Sequence, residues 1–156
     1  GEMTLPSGRL QKISNENIFI DFAHTPDALE AVCSELMKKN HKGLKLIFGA
    51  GGDRDKVKRE LMGNIAQKYA KKIYITSDNP RFEKPNEIIE MITAGINDKN
   101  KMIIESDRSE AIKMAISELD KDEILLITGK GHEEYQILGN EKKSFSDYEE
   151  VLKCIK

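Results

Sequence analysis

Short apolar runs alternate with amphipathic helical patterns along almost the whole chain, and this alternation is what most constrains the fold. Runs typical of buried strands occupy residues 18–23, 44–48, 73–76, 102–104 and 124–128. Two of the intervening helices have start signals, Thr25-Pro26 and Pro85. Strands separated by helices require right-handed crossovers, which produce a mainly parallel sheet. The sequence therefore predicts a three-layer α/β fold, a Rossmann-like sheet with helices on both faces.

Apolar residues at helical spacing fill the intervals between the predicted strands, and each stripe would face the sheet. The stripes comprise Leu29, Val32, Cys33, Leu36 and Met37; Leu61, Met62, Ile65, Ala66 and Tyr69; Ile88, Ile89 and Ile92; and Ala111, Ile112, Ala115, Ile116 and Leu119. We further predict a short strand at 135–138 and a closing helix at 151–155.

Composition narrows the class of protein. With 156 residues, 38% of them hydrophobic and 33% charged, the chain suits one compact domain. Its formal net charge of -2 gives no positive excess for binding nucleic acid or an anionic membrane, so we expect neither partner. No apolar run has the length of a membrane span, and no signal-peptide core is found at the N-terminus. Cys33 falls on an apolar helix face, where a buried free thiol is typical, so we predict a reducing cytoplasm.

Polar or glycine-rich segments follow all five predicted strands of the sheet. They are His24, residues 49–55, residues 78–81, Asp107-Arg108 and residues 129–133. The carboxyl ends of parallel strands meet at one edge, where ligands bind in open α/β sheets. We therefore expect all five segments on one rim.

The segment Asp78-Asn79-Pro80-Arg81 has the most specific geometry of the five. Pro80 fixes its own φ and pushes Asn79 toward extended backbone, so the loop would present Arg81 with little freedom left to lose. The planar guanidinium suits a carboxylate or a phosphate. The alternative is an arginine in a surface ion pair, which these four residues alone leave equally open.

The other segments are weaker signals. Gly51-Gly52 is not part of a dinucleotide fingerprint, because Arg54 stands where the third glycine is required. Gly129-Lys130 is not a phosphate loop, since the motif's first glycine is absent and Gly131 replaces its serine or threonine. The three histidines and two cysteines have no metal-ligand spacing. His24 before a helix is more often a capping or packing residue, and Asp107-Arg108 equally suits a local ion pair.

Taken together, seven segments in chain order resemble the C-terminal domain of the Mur ligases, the ATP-dependent amide-forming enzymes that build the peptidoglycan stem peptide. The segments are Gly8-Arg9, residues 21–28, residues 48–55, Lys58-Arg59, residues 78–81, Asp107-Arg108 and residues 129–133. The resemblance spans nearly the whole chain. The residues 78–81 look like the branch that adds diaminopimelate, because its lysine-adding relatives carry a different residue in place of Arg81.

The resemblance implies roles for individual residues, none of them catalytic and none a metal ligand. The residues implied to surround the incoming meso-diaminopimelate are Arg54, Asp78, Asn79, Pro80, Arg81, Gly129 and Glu133. Arg9, Asp21 and His24 match positions that close over ATP. The chain departs from the family at Phe22, where tyrosine is usual, and at Gln11, where an acid is usual.

The resemblance also implies what other domains supply. ATP and Mg2+ would be bound mainly by a central domain, and the UDP-N-acetylmuramoyl-dipeptide through the other domains. We expect residues 1–8 to be a tag remnant and hinge, residues 9–156 to be the amino-acid-binding domain, and this domain alone to be inactive. Two alternatives stay open: a related ligase that adds a different amino acid, and a non-catalytic small-molecule-binding module of flavodoxin-like shape.

Overall fold

A six-stranded, mostly parallel sheet forms the centre of the molecule. The computed structural model describes residues 10–13, 16–39 and 41–155. The strands of this sheet are β1 (Gln11–Lys12), β2 (Ile18–Asp21), β3 (Gly43–Phe48), β4 (Lys72–Ile75), β5 (Met102–Ile104) and β6 (Glu123–Thr128). Their order is β1-β2-β6-β3-β4-β5, and only β1 is antiparallel to its neighbour. The five predicted strands are therefore confirmed.

Helices cover both faces of the sheet, which confirms the predicted three layers. They are α1 (Pro26–Met37), α2 (Val57–Tyr69), α3 (Pro85–Thr93), α4 (Arg108–Ser117) and α5 (Asp147–Ile155). One core joins α1, α2 and α3 to alternate strand residues such as Leu46 and Leu126. The second core joins α4 and α5 to the residues between them, such as Ile47 and Ile127. The two cores follow from the period of two in a strand, which sends successive side chains to opposite faces.

The start of α1 was predicted from its capping residues, and the contacts agree. Thr25 has an extended backbone and its hydroxyl accepts a hydrogen bond from the Ala28 N–H at 3.2 Å, as an N-cap residue does. The preceding strand ends earlier than predicted, at Asp21 instead of Ala23. The Ala23 N–H turns toward the Asp21 carboxylate, which accepts it at 2.7 Å, so this N–H is lost to the sheet.

A small hairpin lies outside the central sheet. It pairs β7 (Tyr135–Leu138) with β8 (Glu141–Ser144) in antiparallel register. The strand at 135–138 was predicted, but β8 was not, because its sequence Glu-Lys-Lys-Ser has no apolar alternation and all four residues are exposed. Backbone pairing with β7 forms β8 without burial. Within the residues described, no helix combines the length and the apolar character needed to cross a bilayer.

Candidate functional site

A cleft of about 400 Å³ opens at the carboxyl edge of the sheet. The segments that follow β2, β3, β4 and β6 line it, so four of the five segments predicted at this edge contribute to the cleft. Of the predicted site residues, those that line the cleft are His24, Arg54, Asp78, Asn79, Arg81, Gly129 and Glu133. Guanidinium groups and carboxylates therefore face the same space, which suits a ligand that carries both charges.

Two predicted site residues do not line the cleft, and a third, Arg9, lies outside the described residues. Pro80 is buried. Asp21 is fully buried at the end of β2. Burial raises the pKa of its carboxyl, and the hydrogen bond from the Ala23 N–H only partly opposes this. Asp21 thus holds the turn that leads to His24, whose ring packs edge-on against Phe22 with centroids 4.7 Å apart.

Arg81 is held in a strained and well-fixed conformation. Its φ is +54°, in the left-handed region that non-glycine residues rarely adopt. Its Nη1 donates to the carbonyl of Gly52 at 3.0 Å and to that of Asn79 at 3.3 Å. The hydrogen bonds that its side chain makes with described residues all use Nη1, so Nη2 and Nε have no hydrogen-bond acceptor among those residues. Non-glycine strain of this kind concentrates at functional sites.

Two glycines let the loops approach one another around Arg81. The Gly52 N–H donates to the carbonyl of Asn79 at 2.8 Å, and a side chain at Gly52 would collide with the Pro80 carbonyl. Gly129 has a φ of +113°, and a Cβ there would lie 2.7 Å from Asp78 Oδ2. The three loops after β3, β4 and β6 can therefore pack only because these positions carry no side chain.

The β7–β8 hairpin supports the same loop from the other side. The Arg81 N–H donates to the Ile137 carbonyl at 3.0 Å, and the Gly139 N–H donates to the Arg81 carbonyl at 2.6 Å. The Ile137 N–H donates to Asn79 Oδ1 at 3.0 Å. These hydrogen bonds pair residue 81 with Leu138 of β7 in an isolated parallel bridge. No local sequence pattern indicates them, because the partners are more than fifty residues apart.

The glycine-rich loop after β3 is fixed by an ion pair that the sequence analysis missed. Arg59, buried on α2, donates to both oxygens of Glu83, at 2.7 and 2.8 Å, and to the carbonyl of Gly51 at 2.9 Å. Glu83 also accepts the Asp53 N–H at 2.6 Å. The hydrogen bonds from Arg59 lower the pKa of Glu83 from 4.5 to about 2.

Glu83→Gln is expected to flatten the acid dependence of stability. The folded-state pKa is depressed, so the pair stabilises the fold fully above the unfolded-state pKa and its contribution is lost as pH falls toward about 2. The wild type should lose roughly 1 to 2 kcal/mol more than the variant between about pH 7 and about pH 3. Urea unfolding at both pH values measures this. The control is Glu87→Gln, because Glu87 is the exposed third residue of α3. If wild type and Glu83→Gln lost the same stability between the two pH values, the ion pair with Arg59 would not be the cause of the acid dependence.

Arg108 was predicted to lie on the rim or to form a local ion pair. It lies at the carboxyl ends of β4 and β6 but does not line the cleft, and its ion pair is not local. Its fully buried guanidinium donates to Asp147 twice at 2.8 Å, and to the carbonyls of Ser77 and Thr128 at 3.0 Å. Burial opposes its charge, but Asp147 raises the pKa of Arg108 above the usual value. Asp107 instead caps α4. Arg108 therefore supports the ends of β4 and β6 from the side opposite the cleft.

Lys130 is the second residue whose place was missed. From its sequence position it belonged only to the rejected phosphate loop, yet Lys130 is completely buried and donates to Asp78, Asn79 and Glu133. A lysine between two glycines gives no local signal of burial. Among residues 10–13, 16–39 and 41–155, no group of three or more histidine, cysteine or acidic side chains is arranged to hold a metal ion.

Fold and cleft together define an α/β domain with a cleft lined by both guanidinium groups and carboxylates at the carboxyl edge of a mainly parallel sheet. Comparison with known proteins makes this specific. The family model described as Mur ligase, glutamate ligase domain, matches residues 8–131. The chain therefore belongs to the Mur ligase family, whose members are ATP-dependent enzymes that form amide bonds, and the resemblance noted from its motifs is confirmed.

The relatives share one name. UDP-N-acetylmuramoyl-L-alanyl-D-glutamate--2,6-diaminopimelate ligase of Rickettsia rickettsii is 51% identical over 157 residues, which cover 99% of this chain and 33% of the relative. The enzyme of that name from Helicobacter hepaticus is 50% identical over 146 residues, 93% of this chain and 31% of the relative. A solved structure of a ligase of this name has a TM-score of 0.88 and 37% identity, covering 97% of this chain and 31% of that one. The chain thus spans about a third of the length of these relatives.

Proposed function

We propose that this chain is the amino-acid-binding domain of a cytoplasmic ligase that adds meso-diaminopimelate to UDP-N-acetylmuramoyl-L-alanyl-D-glutamate in peptidoglycan synthesis. The observation that carries the proposal is the guanidinium of Arg81. It is fixed through Nη1, while Nη2 and Nε make no hydrogen bond to the described residues and Arg81 lines the cleft. The names of the relatives supply the substrate.

The charges around the cleft support an amino acid as ligand. A free amino-acid end carries one carboxylate and one ammonium group. Arg81 and Arg54 would receive the carboxylate, since a guanidinium binds it through two parallel N–H groups. Glu133 and Asp78 face the same cleft and would receive the ammonium group. Diaminopimelate has such an end in addition to the amine that reacts, whereas lysine has only an ammonium group there.

The chemistry requires a bound nucleotide. When bound, ATP supplies the phosphoryl group that turns the D-glutamyl side-chain carboxylate into an acyl phosphate, and Mg2+ would accompany it on another part of the ligase. The residues of this domain would orient the amine of diaminopimelate toward the activated carbon and exclude water from it. Their contribution is positioning, which replaces an encounter of two molecules by an oriented pair.

Contacts with the nucleotide would come from the turn after β2, which also lines the cleft. His24 is exposed there beside Phe22, on the turn that Asp21 holds. We infer that His24 meets the nucleotide when the ligase closes and that Asp21 acts by fixing this turn. Arg9 would add a contact from the start of the domain. Closure of this kind completes a site only once its substrates are bound.

The proposal predicts a sharp contrast between the full-length ligase and this chain. The full-length protein should form the tripeptide product with diaminopimelate, ATP and Mg2+, and should use lysine far less well. The chain alone should neither form product nor hydrolyse ATP, because its sequence has no phosphate loop. A coupled phosphate-release assay measures ATP hydrolysis, and mass spectrometry of the product measures tripeptide formation. Efficient product formation with another amino acid would indicate a different Mur ligase, and sustained ATP hydrolysis by this chain alone would contradict the division of roles.

A further inference from the structure

One buried positive charge connects the two loops that carry most of the proposed amino-acid contacts. Lys130 has no exposed surface, and its Nζ donates to Asn79 Oδ1 at 2.8 Å, Asp78 Oδ1 at 3.2 Å and Glu133 Oε1 at 3.3 Å. The Tyr135 ring centroid lies 5.9 Å from the same atom. An ammonium group out of contact with water is stable only with such partners.

The cluster of Lys130, Asp78 and Glu133 has more negative than positive charge. One ammonium faces two carboxylates, so the carboxylates would repel each other without it. Glu133 is the more exposed of the two acids and lines the cleft. Lys130 therefore keeps both acids close together while leaving the cluster one negative charge in excess, which suits a ligand ammonium group.

Lys130 also determines how Asn79 is oriented. The Asn79 Oδ1 atom accepts from Lys130 and from the Ile137 N–H at 3.0 Å, which directs Nδ2 toward Glu133 Oε1 at 3.4 Å. An asparagine whose oxygen accepts two donors has its amide fixed in one orientation. The backbone of Asn79 is thereby held at the entrance to the Pro80 turn.

The position of Asn79 is passed directly to Arg81. The Asn79 carbonyl accepts hydrogen bonds from Arg81 Nη1 at 3.3 Å and from the Gly52 N–H at 2.8 Å. A shift of Asn79 would move both the guanidinium and the glycine-rich loop that also binds it. Lys130 itself is absent from the cleft lining, so it can act on the ligand only through these neighbours.

We infer that Lys130 is a positioning residue for amino-acid selectivity, which it controls by fixing Asn79, and through it Arg81, against the cleft. The inference rests on the proposed function for the identity of the amino acid. Removal of Lys130 should impair amino-acid binding much more than the use of ATP or of the sugar-nucleotide substrate. A purely structural role would lower stability and leave these Michaelis constants in their original ratio.

Lys130→Met in the full-length ligase tests the inference, with Lys45→Met as the matched control. Lys45 is a second buried lysine that pairs with an acid, Glu123 at 3.2 Å, but at the opposite edge of the sheet. We expect Lys130→Met to raise the KM for diaminopimelate by roughly 10- to 100-fold, as misplacement by about 1 Å does, and to reduce the preference over lysine. Lys45→Met should lower the melting temperature and leave both quantities at wild-type values.

Two results would overturn the inference: an unchanged KM for diaminopimelate in Lys130→Met, or equal increases in all three Michaelis constants. If the Lys130→Met variant does not fold, Lys130→Gln replaces it, because glutamine removes the charge but keeps a hydrogen-bond donor. The same comparison of Michaelis constants then applies to Lys130→Gln. If the wild-type ligase prefers another amino acid, the proposed substrate is wrong. The same variants measured with that amino acid then test the role of Lys130 independently.

Discussion

Arg81→Ala in the full-length ligase should remove most of its preference for diaminopimelate over lysine. Diaminopimelate differs from lysine by the carboxylate at its far end, and we propose that this carboxylate binds Arg81, whose side chain is held by the Gly52 and Asn79 carbonyls. An unpaired member of a desolvated charge pair costs about 2 to 5 kcal/mol, or roughly thirty-fold to several-thousand-fold in preference. The open cleft places the effect toward the lower end. Steady-state kinetics with both amino acids measures the ratio of kcat/KM values.

Lys84→Ala is the control for this experiment, because it removes a positive charge from an exposed site three residues away. It should leave the ratio unchanged. Arg81→Lys should recover little of the preference, since an ammonium group cannot form the two parallel hydrogen bonds of a guanidinium. If Arg81→Ala kept the wild-type ratio, Arg81 would have only its structural role of joining the loops after β3 and β4.

Arg108→Ala should produce the largest loss of stability of any single substitution proposed for this chain. It would leave the Asp147 carboxylate buried without its partner and remove donors from the carbonyls of Ser77 and Thr128. Breaking a buried ion pair in this way costs about 3 to 5 kcal/mol. For a domain of this size the melting temperature should fall by roughly 6 to 20 °C.

Lys68→Ala provides the comparison for Arg108→Ala. Lys68 pairs with Glu30 at 3.0 Å, but the two side chains are 61% and 39% exposed, and ion pairs that water reaches contribute little. The melting temperature of the Lys68→Ala variant, measured by calorimetry of the isolated chain, should stay close to that of the wild type. Similar losses for both variants would mean that the burial of Arg108 does not decide its contribution.

The order of elements and the location of the site could be predicted from the sequence because both depend on local patterns. Apolar periodicity marks each strand and helix, and the capping residues at Thr25 fix a helix start. Parallel strands then bring the segments after them to one edge, whatever the details of packing. Arg54, Arg81 and Glu133 could be placed on one cleft for this reason.

The hairpin and the buried charges could not be predicted in the same way. β8 forms by backbone pairing with β7 and has no apolar alternation to reveal it. Lys130 occupies a position that its neighbours Gly129 and Gly131 would suggest is a surface turn, yet it has no exposed surface. Its burial depends on acceptors supplied by a loop about fifty residues earlier.

The sequence by itself determined the fold class, the family and the set of loops that meet at the cleft, because strand and helix periods and short motifs are properties of neighbouring residues. Only the tertiary structure decided the partners of Arg59, Arg108 and Lys130. Each is a charge whose energy depends on burial and on acceptors distant in the chain. Those two quantities exist only once the layers have packed.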